Sequence, residues 1–141
     1  MQLEAAHRAQ LASRLSRFLG QTIDGVVTAV PALTGVLLAS VSDSMGDTYL
    51  IAGIAASIAY YFFADCLGEG QSYGKRLLGM YVVHEATGAP CTPTQSFVRN
   101  FLLAVLGPID WLFIFGSRHQ RLGDLAARTL VVTRDRAAAP G

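Results

Sequence analysis

Four polar side chains interrupt an apolar run near the start of the chain. Arg17, Gln21, Asp24 and Thr28 are spaced four, three and four residues apart, the steps that return a helix to the same face. On a helix that crosses lipid, such a stripe must face protein or water. An ionisable residue there is costly enough to count as a functional candidate. Asp24 is the centre of the stripe. Burial strengthens a carboxylate's hold on a proton and a nearby cation weakens it, so a balanced site could take up either a proton or a monovalent cation. The plainer chemistry is a buried ion pair that locks helices together. Arg17 and Asp24 lie two turns apart, ~10 Å along the axis, and helical side chains lean toward the N-terminus. Pairing within the helix is therefore not expected. Asp24 needs a cation from another segment, with Arg121 or Lys75 as candidates.

Two other segments are polar enough to matter. In GEGQSYGKRLLGMYVV, residues 68–83, glycines bracket Lys75, the only lysine, and Arg76. The spacing of a phosphate-cradling loop is absent, so the two cations are expected among lipid headgroups. In SRHQRLGDLAARTLVV, residues 117–132, Arg118, Arg121 and Asp124 fall at three-residue steps. With Arg99 these arginines read as membrane-surface or partner contacts. His119 has no second His or Cys at ligand spacing, so a metal site is not expected. Asp110 follows Gly107-Pro108 and could cap a second half-helix or pair with Arg99. Cys66 and Cys91 read as free thiols. No nucleophile–base set is readable and no GxSxG occurs. An enzyme, a cofactor and a nucleic-acid partner are all unexpected, the last because no basic face carries interleaved aromatics.

These side chains need elements to hold them. Of 141 residues, 52% are hydrophobic and only 15% charged, against roughly 25% in soluble domains. The mean hydropathy is +0.39. Segments 18–41 and 49–65 are each about long enough to cross ~30 Å of hydrocarbon, with a kink expected at Pro31. Small residues four apart in the second, such as Gly53 and Ser57, permit close helix approach. Residues 2–18 read as an amphipathic helix in the headgroup plane, or as a frayed tail. No apolar leader follows Met1, so the first span is expected to act as the targeting signal. The link between the spans carries Asp43 and Asp47 and no basic residue. The flanking segments carry Arg8, Arg14, Arg17, Lys75, Arg76 and Arg99, which puts the N-terminus and residues 66–96 in the cytoplasm.

The third apolar stretch, 97–116, is interrupted by Arg99, Asp110 and Gly107-Pro108. A full crossing would leave the five arginines that follow it outside, against the charge rule. Residues 79–85 and 129–134 read as β-branched strands, and strands that pair must lie on one side. Both arguments favour a broken or re-entrant element. A plain third span with the C-terminus outside is the alternative.

Taken together, Arg17-x6-Asp24, GQSYGKRLLGMYVVHEATGAP, VRN and RHQRLGDLAARTLVV resemble the RDD family of bacterial membrane proteins, over about residues 14–133. The resemblance implies that the family arginine is Arg17 and its two aspartates are Asp24 and Asp124. The family's Gly-Gln-Thr-x-Gly-Lys stands here as Gly70-Gln71-Ser72-Tyr73-Gly74-Lys75, with the hydroxyl kept. Its usual Asp-x-x-Ala-Gly-Thr ends here in Ala127-Arg128-Thr129, so an arginine replaces the glycine. The implied roles are cation/proton antiport or service as an accessory subunit of a membrane complex.

The expected fold is therefore an all-α membrane bundle with two long spans, a third broken or re-entrant element and a short cytoplasmic β-pair. Residues 1–17 form a surface helix, 18–134 the membrane domain and 135–141 a flexible tail. The expected setting is the bacterial inner membrane, multi-pass, with the N-terminus cytoplasmic. The expected function is cation/proton exchange at Asp24, with Arg17 and Asp124 tuning the site beside Gln21 and Thr28. Lipid, monovalent cations and protons are the partners, in a homo-oligomer or beside another membrane protein. The alternative is a non-transporting scaffold.

Overall fold

Ser13 starts the first long helix by accepting a hydrogen bond from the Ser16 amide at 3.1 Å, the usual way a helix start satisfies an orphan donor. The computed structural model describes residues 10–133. Helix α1 runs Arg14–Ser40 and α2 runs Gly46–Phe63, continued by a 3-10 turn at Ala64–Cys66. Both are long and apolar enough to cross a membrane, with mean hydropathies of 1.7 and 1.4. Pro31 sits inside α1, and the neighbouring Ala32 amide donates to Ser57 Oγ of α2 at 3.0 Å. One turn on, Gly35 and Gly53 stand back to back. A Cβ on Gly53 would come 3.0 Å from the Gly35 Cα, so the two backbones touch.

The short helix α3 spans Tyr73–Leu77 and leads into strand β2, Met80–His84. Helix α4 follows at Pro93–Leu106, opened by a capping box between Thr92 and Gln95. It stops at Gly107, whose φ of 54° suits glycine. Helix α5, Pro108–Leu112, leaves the break at 110° to α4 and ends in a 3-10 turn at Phe113–Phe115. The Gly-Pro break expected in the third stretch is thus present. Helix α6, Leu122–Ala127, and strand β3, Thr129–Thr133, complete the described chain.

Strands β2 and β3 pair antiparallel from Met80↔Thr133 to His84↔Thr129. A two-residue strand β1, Gln10–Leu11, adds to the other side of β3, giving the order β1-β3-β2. Under this sheet lies a small core of Ala12, Met80, Val82, Cys91 and Val131. The expected helix over 2–18 is corrected here: Gln10–Leu11 is strand and Arg14–Arg17 is the first turn of α1. Strand pairing wins because it supplies partners for backbone groups that an isolated surface helix would have to find alone. Residues 1–9 of that expected helix, and the expected 135–141 tail, lie outside the described residues. The pairing joins the two sides of the third stretch, and the 110° bend between them is that of a broken or re-entrant element.

Candidate functional site

Asp24 points from α1 into a pocket of donors. Tyr60 Oη of α2 donates to Oδ1 at 2.9 Å, and the Gly74 amide of α3 donates to the same oxygen at 2.8 Å. Ser72 Oγ donates to Oδ2, and Lys75 Nζ lies 3.6 Å from it. Only glycine fits at position 74, because a Cβ would meet the Gly20 carbonyl and lie 3.0 Å from the Asp24 carboxyl. This explains how a five-residue helix brings Lys75 against the first long helix.

Lys75 continues the contact. Its ammonium is 2.6 Å from Asp65 Oδ1, so two carboxylates share one lysine. Asp65 sits in the 3-10 turn after α2, and its Oδ2 accepts from Arg99 Nε of α4 at 3.2 Å. Arg99 Nη1 reaches Asp124 Oδ1 and Thr129 Oγ1, each at 2.7 Å. Asp124 also binds Arg17 and accepts from the Arg121 amide at 3.1 Å. Arg121 Nε lies 3.6 Å from Asp110 Oδ2, while Asp110 Oδ1 accepts from the Gly123 amide at 2.8 Å. The Arg121 guanidinium also covers the Trp111 ring at 5.3 Å. Among the described residues, four acids and four bases thus alternate through a layer that is almost wholly buried. Buried charges need such mutual pairing to be tolerated. In α6, burial pushes the Asp124 carboxyl up, but the guanidiniums of Arg99, Arg17 and Arg121 outweigh it and hold it below the usual carboxylate range. Outside the layer, burial pushes the Cys91 thiol up to about 12.

Gln21, Asp24, Thr28, Tyr60, Asp65 and Lys75 face a cleft of about 10 Å³, roughly the room one water molecule needs. Thr28 Oγ1 donates back to the Asp24 carbonyl at 2.7 Å. Three of the four stripe residues therefore meet at one place. Arg17 does not join them: it turns to Asp124 and the His119 carbonyl.

Several expected placements are corrected. Lys75, Arg99 and Arg121 are not surface contacts but are buried to 6%, 0% and 1% exposure, because each has carboxylates on neighbouring elements to pair with. Arg76 and Arg118 do stay exposed, Arg118 3.6 Å from Glu85. The cation of Asp24 is Lys75, whereas Arg121 serves Asp110 and Asp124. Arg17 and Asp124 pair with each other rather than standing at Asp24. Asp110 caps α6, not α5, and pairs with Arg121, not Arg99. Asp65 was not singled out from the sequence, although it links both halves of the layer. The one signal was a lone carboxylate closing an apolar run.

Arg128 follows α6 with φ 53°, in the left-handed region. A residue with a Cβ costs ~1 kcal/mol there and glycine does not. Arg128→Gly is expected to raise stability by about that amount, read from the unfolding midpoint in detergent. A lower midpoint would mean that the guanidinium makes a stabilising contact.

A model described as the RDD family matches residues 11–128, most of the chain. No curated protein and no solved structure matches it.

Proposed function

This chain belongs to the RDD family, and on that premise we propose that it is a multi-pass membrane protein that exchanges a monovalent cation for a proton at the Asp24–Lys75–Asp65 cleft. Membership in the family and the two long apolar helices suggest the membrane setting. One observation carries the activity: a single lysine lies within reach of two carboxylates, at 3.6 and 2.6 Å, on the wall of a cleft that touches all three groups. A cation entering the cleft competes with the ammonium for the same oxygens. Seating it releases one proton from Lys75, and its departure lets Lys75 take a proton back. One positive charge replaces another, so the layer stays neutral. Helix α3, which carries Lys75, is held to the long helices by the Gly74 amide on Asp24 and the Tyr73 amide on Tyr60 at 3.2 Å.

The charge pattern supports an inner-membrane protein with β1 and the sheet in the cytoplasm, because the link between α1 and α2 carries only acidic charge. Two spans enclose no pathway alone, so exchange calls for a homo-oligomer.

The test is proton flux in proteoliposomes carrying an internal pH dye. A pulse of Na⁺, K⁺ or Li⁺ is expected to move protons with the parent and not with Asp24→Asn. Equal flux in the two sinks the reading. A second reading, an accessory subunit of a membrane complex, is favoured by the fact that both Asp24 oxygens already have two partners each. Under it neither protein moves protons, and Asp24→Asn lowers stability instead.

A further inference from the structure

We propose that residues 101–115 form a wedge seated in one leaflet of the bilayer, with the acyl chains of that leaflet as its partner. The wedge is fastened to the charged layer at two points. Arg99 is tied to Asp65 and Asp124 before it, and Asp110 to Arg121 and the Gly123 amide within it. Beyond Asp110, the Arg14 side chain at the start of α1 donates to the Ile114 and Phe115 carbonyls at 3.2 Å each. The apex at Gly107 is therefore limited in reach. Leu106 lies seven positions after Arg99, which is ~10 Å of helix. That falls short of the ~15 Å of a single leaflet.

The exposed side of the wedge suits that depth. Phe101, Val105, Ile109 and Leu112 are all open, Val105 and Leu112 to 63% each, while the adjoining Asp110 is closed to 0%. This apolar face continues the open apolar side of α1, where Phe18 meets Trp111 edge-on at 6.3 Å. The β2–β3 pairing requires the chain to return to the side from which it left. A face of this composition, too short to cross and obliged to return, is covered by lipid from one side only. The inference stands whether or not the protein moves ions.

Trp111 is the only tryptophan, so the unmodified protein reports its own depth. It is reconstituted in phosphatidylcholine brominated near the carbonyl end of the acyl chain, midway along it, or near the bilayer centre. The expected result is the larger fluorescence loss with the shallow bromines. A second protein, Val105→Trp in a Trp111→Phe background, is expected to be quenched most by bromines midway down one leaflet. Strongest quenching of either tryptophan by bromines at the bilayer centre would overturn the wedge in favour of a full crossing. No quenching of the Val105→Trp protein by any bromolipid would overturn it as well, since protein rather than lipid would then cover the face.

Discussion

Arg99→Ala is expected to lower stability by ~3–5 kcal/mol, the range for removing one partner of a buried ion pair. Arg99 is wholly buried and is shared by Asp65, Asp124 and Thr129. Its loss leaves two carboxylates in the layer short of a guanidinium. That is a large part of the ~5–15 kcal/mol that holds a domain together. The control is Arg118→Ala, whose side chain is 68% exposed and whose Glu85 partner lies at 3.6 Å. It is expected to shift stability by no more than ~0.5 kcal/mol. Equal losses in the two variants, measured by unfolding in detergent, would show that the buried layer contributes no more stability than an exposed ion pair. The same variant changes the response to acid. The lowered value for Asp124 means that its ion pairs contribute stability above the ordinary carboxylate pKa of ~4, lost only as the pH falls toward the depressed folded value. Removing Arg99 takes away the largest of the cationic influences on Asp124. Acid unfolding of Arg99→Ala is therefore expected to begin at a higher pH than in the parent.

Gly53→Ile is expected to do comparable damage by a different route. The Gly53 Cβ position faces the Pro31 carbonyl and lies 3.0 Å from the Gly35 Cα. Both neighbours are backbone, so neither can swing aside, and the helices must separate. Overpacking of this kind costs about 1–3 kcal/mol or more. Separation also removes the Ser57–Ala32 hydrogen bond of 3.0 Å. Gly25 is the contrast, with nothing among the described residues within 4 Å of its Cβ position. Gly25→Ala is expected to be neutral or to gain up to ~1 kcal/mol of helix propensity. A Gly53→Ile protein as stable as the parent would mean that α1 and α2 pack differently.

Much of the scaffold was readable because local pattern and final structure agree. The apolar runs gave α1 and α2, Gly107-Pro108 the break, and the β-branched runs the strands β2 and β3. Strand β1 was not readable. Two residues have no period, and Gln10 and Leu11 become strand only because Thr133 and Val132, more than a hundred residues later, offer hydrogen-bond partners. The site divides in the same way. The stripe of Gln21, Asp24 and Thr28 follows from helix geometry, and so does the failure of Arg17 to meet Asp24. The burial of Lys75, Arg99 and Arg121 does not follow from spacing. A basic residue beside an apolar run looks like a headgroup contact until its carboxylate is known. Asp65 waits on partners 10 and 34 residues ahead of it, too far apart for any helical or strand period to link all three.

The position of β3 and Asp124 has a consequence for biosynthesis. A chain is made from its N-terminus, and segments begin to fold as they emerge. The Asp24–Lys75–Asp65 contacts can form once residue 75 has been added. Arg17 and Arg99, by contrast, have no Asp124 to bind until residue 124 is made, and β1 and β2 have no central strand to share until β3 follows it. A nascent chain that has not reached residue 124 leaves Arg17 without its carboxylate, Arg99 with Asp65 but not Asp124, and β1 and β2 without the strand between them. Closure of the charged layer and of the sheet therefore both wait on the segment that runs from Asp124 to β3.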